Sequence, residues 1–391
     1  MKICFIHSLY PPFTRGGAEV VVKNTIDALI EKNHEVMLIT LGRKNEISQE
    51  GKLTIFRIKP LNIFSFIDIQ KKSLFLRVLW HPIDMFNISS SNKIKDILLK
   101  EKPELVITHN LKGIGYLIPR LLKKLRIKNI HYLHDVQLTR PSGIIFYGYE
   151  KPFLILDKMY EKICRWLFGS PDTIISPSDY LMKYYKVRGF FYTSQWRVLP
   201  NPIVKLKTQK DIAYKVKNYG EKLNFIFIGQ LETGKGIFFL IKMLQSSEEK
   251  NWELKIVGSG KAEHEIQSMV SGDKRFTLHG YIKNSDIPEI LSQSDVCFVP
   301  SLCYENSPTV IYESLSNGVP VIASDIGGIS ELIKENINGF TFEPGNKENF
   351  LKVLYHITRH PEVLEKLTKN TLTSVKNYSI DKYIDAIFSL L

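Results

Sequence analysis

The chain has 391 residues, past the roughly 250–300 at which one hydrophobic core stops growing, so two domains of about 200 residues each are expected. Hydrophobic residues make up 44% and charged residues 24%, which excludes wholesale disorder. The net charge of +13 is uneven: residues 1–200 hold 31 Lys and Arg against 17 Asp and Glu, the remainder 22 against 23, so an anionic partner is expected for the first half alone.

In chain order, Lys2–His7 reads as a strand, followed by a Pro/Gly loop (Pro11, Pro12, Gly16, Gly17) and a helix from Ala18 to about Lys32. Val36–Thr40 and Leu53–Ile58 are strands by their β-branched content. Leu105–His109 (strand), Gly113–Leu125 (helix), Ile130–Leu133 (strand), Pro152–Phe168 (helix) and Thr173–Ser176 (strand) continue the alternation. A segment from Pro200-Asn201-Pro202 through Lys222 lacks apolar periodicity and reads as a linker, 201–222. The alternation restarts with Leu223–Ile228 (strand), Gly236–Leu244 (helix), Leu254–Val257 (strand), Ala262–Met269 (helix) and Phe276–His279 (strand). Ile287–Leu291 (helix), Val296–Val299 (strand), Pro308–Ser316 (helix) and Val319–Ala323 (strand) complete it. The expectation is an α/β chain of two facing Rossmann-like, doubly wound domains: 1–200 and 223–375, with ligands beyond the carboxyl ends of the strands in a deep cleft between them. Ser379 is placed to cap a final helix, within about 376–391, whose apolar face (Ile380, Tyr383, Ile384, Ile387, Leu390) docks on one of the domains.

The stretch Ser301–Glu313 follows an apolar strand. Ser307 can serve as N-cap and Pro308 as first helical residue, leaving the amides of Thr309 and Val310 free to meet a phosphate. Glu305 and Asn306 lie just before that helix start, and Glu313 lies on it, one turn after Thr309. Either glutamate alone reads as an ordinary surface residue. Together with the strand, cap and proline they suit a nucleotide-sugar, with Glu313 on the ribose hydroxyls and Glu305 on the sugar.

A second anion element runs from Gly229 and Gln230 to Gly234-Lys235-Gly236, between a strand and a helix. It is not a P-loop, because Gly236 stands where magnesium needs Ser or Thr. Gly327-Gly328 and Gly16-Gly17 form comparable strand-to-helix turns, and His109 and His134 each end a strand, where an imidazole can hydrogen-bond a hydroxyl or act as a base.

The run Ser294-Asp295-Val296 … Pro300-Ser301 … Glu305 … Pro308 … Glu313 … Gly318-Val319-Pro320-Val321-Ile322-Ala323-Ser324 … Gly327-Gly328 … Glu331 … Asn338-Gly339 resembles the retaining glycosyltransferases of family 4, with Glu305 and Glu313 as that family's Glu-x7-Glu motif. The loop Pro11-Pro12 … Gly16-Gly17-Ala18-Glu19, the Pro200-Asn201-Pro202 turn and Tyr378-Ser379 look like it too. The resemblance implies a GT-B fold with a last helix crossing back to the N-terminal, acceptor-binding domain. It further implies a UDP-, GDP- or ADP-linked sugar donor held by the C-terminal domain, with retention of anomeric configuration and no metal or other cofactor. Lys235 and the Thr309 and Val310 amides would then stabilise diphosphate charge. His134 would face the sugar, and Gly16 and Gly17 would leave room beside the diphosphate. Gln230 departs from the arginine usual at that position, and Arg15 is a candidate to compensate.

Basic and aromatic residues mix at 61–86 (Phe64, Phe66, Phe75, Leu76, Leu79, Trp80, Phe86 with Lys71, Lys72, Arg77) and basic residues recur at 120–128. That mixture suits an anionic membrane surface and a lipid-linked or glycan acceptor, as in synthesis of bacterial surface polysaccharide or lipopolysaccharide. Only four apolar residues follow Lys2 and no stretch nears 18, so the expected location is cytoplasmic, at most peripheral on the inner membrane face. Four cysteines (Cys4, Cys164, Cys297, Cys303), none in a Cys-x-x-Cys pair, fit a reducing compartment and argue against structural zinc. A dinucleotide-dependent oxidoreductase is excluded because no Gly-x-Gly-x-x-Gly follows the first strand. A cationic nucleic-acid-binding protein without transferase activity is the alternative, disfavoured because no helix-turn-helix, zinc or RNA-binding signature accompanies the charge.

Overall fold

Short apolar runs bounded by turns become strands buried on both faces, the pattern that parallel sheets impose. The first half of the computed structural model contains β1 (Lys2–Ile6), α1 (Gly17–Glu31), β2 (Glu35–Leu41), β3 (Glu46–Glu50), β4 (Leu53–Ile58), α2 (Leu74–Met85) and α3 (Ile88–Glu101). These are followed by β5 (Leu105–Thr108), α4 (Ile118–Leu125), β6 (Lys128–Tyr132), α5 (Ile155–Phe168), β7 (Thr173–Ser176), α6 (Asp179–Lys186) and β8 (Gln195–Val198). The second half contains β9 (Leu223–Ile228), α7 (Ile237–Ser246), β10 (Trp252–Val257), α8 (Glu263–Val270), β11 (Phe276–Gly280), α9 (Ile287–Ser292) and β12 (Val296–Val299). It ends with α10 (Thr309–Ser316), β13 (Val321–Ser324), α11 (Ile329–Leu332), β14 (Gly339–Phe342), α12 (Lys347–Arg359), α13 (Glu362–Val375) and α14 (Ile380–Phe388). The structure describes residues 1–150, 155–204, 207–208 and 220–390. Most of the expected linker at 201–222, and residues 152–154 of the helix expected to begin at Pro152, lie outside the described residues.

The chain divides into two compact units. One comprises Met1–Gly143, Pro152–Pro202 and Ile380–Leu391; the other comprises Ile144–Lys151 and Ile203–Ser379. The first unit holds an eight-stranded sheet, order β3-β4-β2-β1-β5-β6-β7-β8, parallel except for β3. The chain moves outward from β1 through β2 to β4 and then returns to β5 on the other side of β1, so β1 and β5 flank the switch point where open α/β sheets bind ligands. α14 completes this unit's core: Tyr383, Ile384 and Ile387 are buried with Val22, Ile26 and Leu29 of α1.

The second unit holds a six-stranded parallel sheet, order β11-β10-β9-β12-β13-β14, with its switch point between β9 and β12. Alternate residues of each strand feed different cores. Phe225, Phe227 and Phe298 pack under α7, α8 and α12, whereas Ile226, Cys297 and Val299 pack under α9 and α10. All four cysteines are free, buried thiols.

Several boundaries differ from the sequence expectation for local reasons. The helix expected from Gly113 starts only at Ile118, because Gly113 and Gly115 sit at φ +94° and +119°, outside helical space. The strand expected from Val319 starts at Val321, after Gly318 at φ +84°. Ser379 is extended (φ −62°, ψ 147°) after a single 3-10 turn, Lys376–Tyr378, so the last helix begins at Ile380.

Candidate active site

The loops that leave β9 and β12 emerge side by side at the second sheet's switch point. The Leu302 amide donates to the Gly234 carbonyl (2.9 Å), which stitches the two loops together. Gly236, at φ +74°, lies so close to the other loop that a Cβ there would stand 1.7 Å from the Pro300 carbonyl oxygen. Only glycine allows that approach.

With the loops pinned in this way, Lys235 Nζ reaches Glu305 Oε1 at 2.5 Å, and Ser301 Oγ donates to the same oxygen at 3.2 Å. The Glu305 side chain is 14% exposed and that of Lys235 33%. Burial pulls the lysine down, but the Glu305 charge and hydrogen bond more than offset it, so Lys235 titrates above its ordinary 10.5. The sequence reading gives these residues separate ligands; the structure joins them to each other. The Glu305 backbone is fixed from a third loop. The Gly328 amide donates to its carbonyl (2.8 Å), and Gly327, at φ +61°, would place a Cβ 2.3 Å from that oxygen.

The start of α10 departs from expectation. Pro308, not Ser307, is the N-cap, and the Ser307 hydroxyl instead shares a 2.5 Å hydrogen bond with the Tyr312 hydroxyl. A hydroxyl from the next turn of α10 itself has taken the place of the backbone amide as the serine's partner. The amides of Thr309 and Val310 still belong to the first helical turn, which lacks intrahelical acceptors. One turn on, the Glu313 carboxylate makes no hydrogen bond or ion pair with any described residue. Burial alone lifts its pKa from 4.5 to about 7. Asn306 is buried beside this start, the Gly229 amide is tied to the Val257 carbonyl (3.0 Å), and Gln230 is exposed.

Residues 144–150, which sequence reasoning did not connect to this site, pair with it. Phe146 forms an antiparallel bridge with Cys303, the Tyr304 amide donates to Ile145 O (2.8 Å), and the Tyr304 hydroxyl donates to Glu150 (2.9 Å).

In the first unit, three histidines meet at the carboxyl ends of β1, β5 and β6. His109 Nδ1 and His134 Nε2 are 2.8 Å apart, and the His7 ring lies 5.7 Å and 6.2 Å from the His109 and His134 rings. Burial drives His7 and His134 down to about 3 and His109 well below its ordinary value, so all are neutral near pH 7. His109 is enclosed by Phe5 and Tyr132, which makes it a support for His134 rather than a ligand-facing group. α1 begins at Gly17, one residue before the expected Ala18. Gly16 is its N-cap, with its amide donating to Glu19 (2.9 Å) and no atom within 4 Å of a built Cβ. Arg15 donates to the carbonyls of Phe66 and Ile67 and lies 4.5 Å over the Phe66 ring. Among the described residues no group of three His, Cys, Asp or Glu side chains is arranged to hold a metal ion.

Two family models divide the chain between them: Glycosyltransferase Family 4 matches residues 15–204 and Glycosyl transferases group 1 matches residues 208–373. The chain belongs to the group 1 glycosyltransferases. It is 26% identical over 343 residues to an uncharacterized 42.6 kDa protein in the cps region of Klebsiella pneumoniae, covering 85% of this chain and 87% of that protein. It is 32% identical over 188 residues to an Escherichia coli UDP-Gal:alpha-D-GlcNAc-diphosphoundecaprenol alpha-1,3-galactosyltransferase, covering 45% of this chain and 48% of that enzyme. Sucrose-phosphate synthase of Thermosynechococcus elongatus superposes with a TM-score of 0.76 at 18% identity, covering 100% of this chain and 98% of that one. The fold of this glycosyltransferase is GT-B, two parallel-sheet α/β domains.

Within the glycosyltransferase, Ser301 and His7 are the site groups that sequence reasoning passed over. Both had a signal: His7 directly follows β1, as His109 follows β5, and Ser301 comes two residues after β12.

Proposed function

We propose that this glycosyltransferase is a retaining, metal-independent hexosyltransferase. On this reading it moves a sugar from a nucleotide-sugar, most simply UDP-linked, to a hydroxyl of a lipid-linked or glycan acceptor in the synthesis of a surface polysaccharide. The observation that carries the donor assignment is the second unit's switch point. There Glu313, a half-buried carboxylate with no hydrogen bond or ion pair to any described residue, stands one turn from the open α10 start, with the Lys235–Glu305 pair on the adjoining loops. A nucleoside diphosphate fits that order of groups: ribose hydroxyls donating to Glu313, phosphate oxygens accepting from the Thr309 and Val310 amides and from Lys235.

Glu305, held by a cation and a serine hydroxyl, is a poor base or nucleophile. We therefore give it a positioning role toward sugar hydroxyls, and give the departing diphosphate the acceptor proton, which supports retention by same-face attack. Lys235 and the α10 amides then stabilise the charge that develops on the leaving group, as preorganised dipoles do. Similarity to a diphosphoundecaprenol-directed enzyme and to a cps-region protein supports the acceptor class. In the first unit, neutral His134 offers an imidazole that hydrogen-bonds a hydroxyl without adding charge.

Calorimetric titration with UDP-, GDP- and ADP-sugars, followed by NMR of the anomeric proton in the transferred sugar, tests the reading. Binding of one series with retained configuration is expected. Inverted product or strict dependence on a divalent cation overturns it.

A further inference from the structure

We propose that the outward face of α2, with the adjoining part of α5, docks the protein on an anionic lipid bilayer. The inference goes beyond the donor-site reading and does not rest on it. α2 is apolar on two sides. Its inner side is ordinary core: Trp80 and Met85 are buried, and Phe64 and Phe66 stack on Trp80 at 5.7 Å and 5.9 Å. Those aromatics are therefore not the surface that the sequence mixture suggested. The outer side carries Leu74, Phe75, Val78, Leu79, Ile83 and Phe86, each between 44% and 76% exposed. Single exposed apolar residues are common on soluble proteins, but five on one helix with Phe86 directly after it form a patch that needs a partner.

The patch does not stop at α2. The Phe86 ring lies 6.4 Å from that of Trp166 on α5, which is 57% exposed, and Leu156 and Met159 of the same helix are exposed as well. Its rim is cationic. Arg120 of α4 lies over Trp166 at 4.6 Å, exposed Lys123 and Lys124 follow on α4, and Lys71 is exposed just before α2.

An apolar face bordered by cations and an amphipathic indole is what a headgroup–acyl boundary with anionic lipids accepts. At twelve residues α2 is about 18 Å long, so it lies in the interface rather than crossing it. A second copy of the chain is the weaker partner, because a two-fold contact would set the same cationic rim against itself.

The test is co-sedimentation of the full chain with vesicles of 70% phosphatidylcholine and 30% phosphatidylglycerol, against pure phosphatidylcholine. Binding to the anionic vesicles is expected, with partitioning at least tenfold lower on pure phosphatidylcholine. A similar loss is expected in the double variant Phe75→Asp/Leu79→Asp, with circular dichroism and the urea-unfolding midpoint unchanged. Lys123→Glu/Lys124→Glu should reduce binding as well, and it keeps the test decisive if the first variant misfolds. The proposal is overturned by absence of vesicle binding, by equal binding of wild type and both variants, or by a wild-type dimer that the first variant converts to monomer without any effect of lipid.

Discussion

Replacing Glu313 with glutamine probes the donor site through stability and affinity together. Burial holds this carboxyl at about pH 7 against an ordinary 4.5, and no described cation relieves it. Since the folded-state value is the higher one, the folded protein holds the proton more tightly than the unfolded chain. Stability is therefore unpenalised below about pH 4.5, declines between 4.5 and 7, and carries the full penalty above 7. At 1.36 kcal/mol per pH unit the penalty at pH 8 reaches about 3 kcal/mol. Glutamine keeps the shape and cannot ionise.

Glu313→Gln is therefore expected to be more stable than wild type at pH 8 by up to about 3 kcal/mol, and equal to it within about 1 kcal/mol near pH 5. Urea unfolding followed through Trp252, in the same unit, reads this difference. Affinity should move the opposite way. A charged acceptor adds about 1.5–3 kcal/mol per hydrogen bond, so UDP binding at pH 8 should weaken by at least about tenfold in the variant. In wild type UDP affinity should rise with pH through 7, and in the variant it should stay flat. A variant that is less stable at pH 8, or that binds UDP as wild type does at both pH values, refutes the assignment of Glu313.

Gly236→Ala would force a Cβ against the Pro300 carbonyl at a positive φ; a loss of about 1–3 kcal/mol by urea unfolding, together with weakened UDP binding, is expected. Lys235→Ala removes the cation from a largely buried Glu305 and from the leaving diphosphate, and steady-state kinetics should show kcat lower by about 10²–10³. His7, His81, His131 and His134 are all driven to about 3 by burial in the first unit. The unfolded chain takes up those protons near 6.5, so stability is lost as pH falls below that value, by up to about 2 kcal/mol per group at pH 5. Hydrogen exchange, corrected for intrinsic rate, should show β1, β5 and β6 opening more readily at pH 5 than at pH 7, while β9 and β12 move the opposite way because the Glu313 penalty fades as pH falls.

The strands that bear the site were legible because their burial is local information. Leu223–Ile228 and Val296–Val299 are apolar runs between turns, and the structure reproduces both boundaries. β3 left no comparable trace: Glu46–Glu50 is an exposed antiparallel edge whose only apolar residue, Ile47, faces solvent. α2 was obscured for a different reason, since Pro82 lies inside it and reads in the sequence as a helix break. At α10 the spacing Ser307-Pro308 pointed to a local cap, and only the folded chain reveals the Tyr312 hydroxyl that takes the serine away. Pairing of residues 144–150 with Leu302–Tyr304 spans more than 150 positions and depends on backbone groups, so no residue pattern announces it.

The proposed donor site is built from features that do not favour stability, and this is why its residues stand out physically. A carboxylate kept near pH 7 by burial, glycines pressed onto carbonyl oxygens at positive φ, and a helix start capped by proline rather than by a side-chain oxygen each leave the empty fold less stable than a simpler alternative. They converge on one end of one sheet, where β9 and β12 part. A ligand bringing hydroxyl donors to Glu313 and anionic oxygens to Lys235 and the α10 amides would relieve all but the glycine contacts. The glycine contacts hold the two loops in register, which keeps Lys235 and Glu305 at hydrogen-bonding distance. Relief concentrated in this way explains why the site should prefer a nucleoside diphosphate over a simple phosphate, since only the former reaches both Glu313 and Lys235.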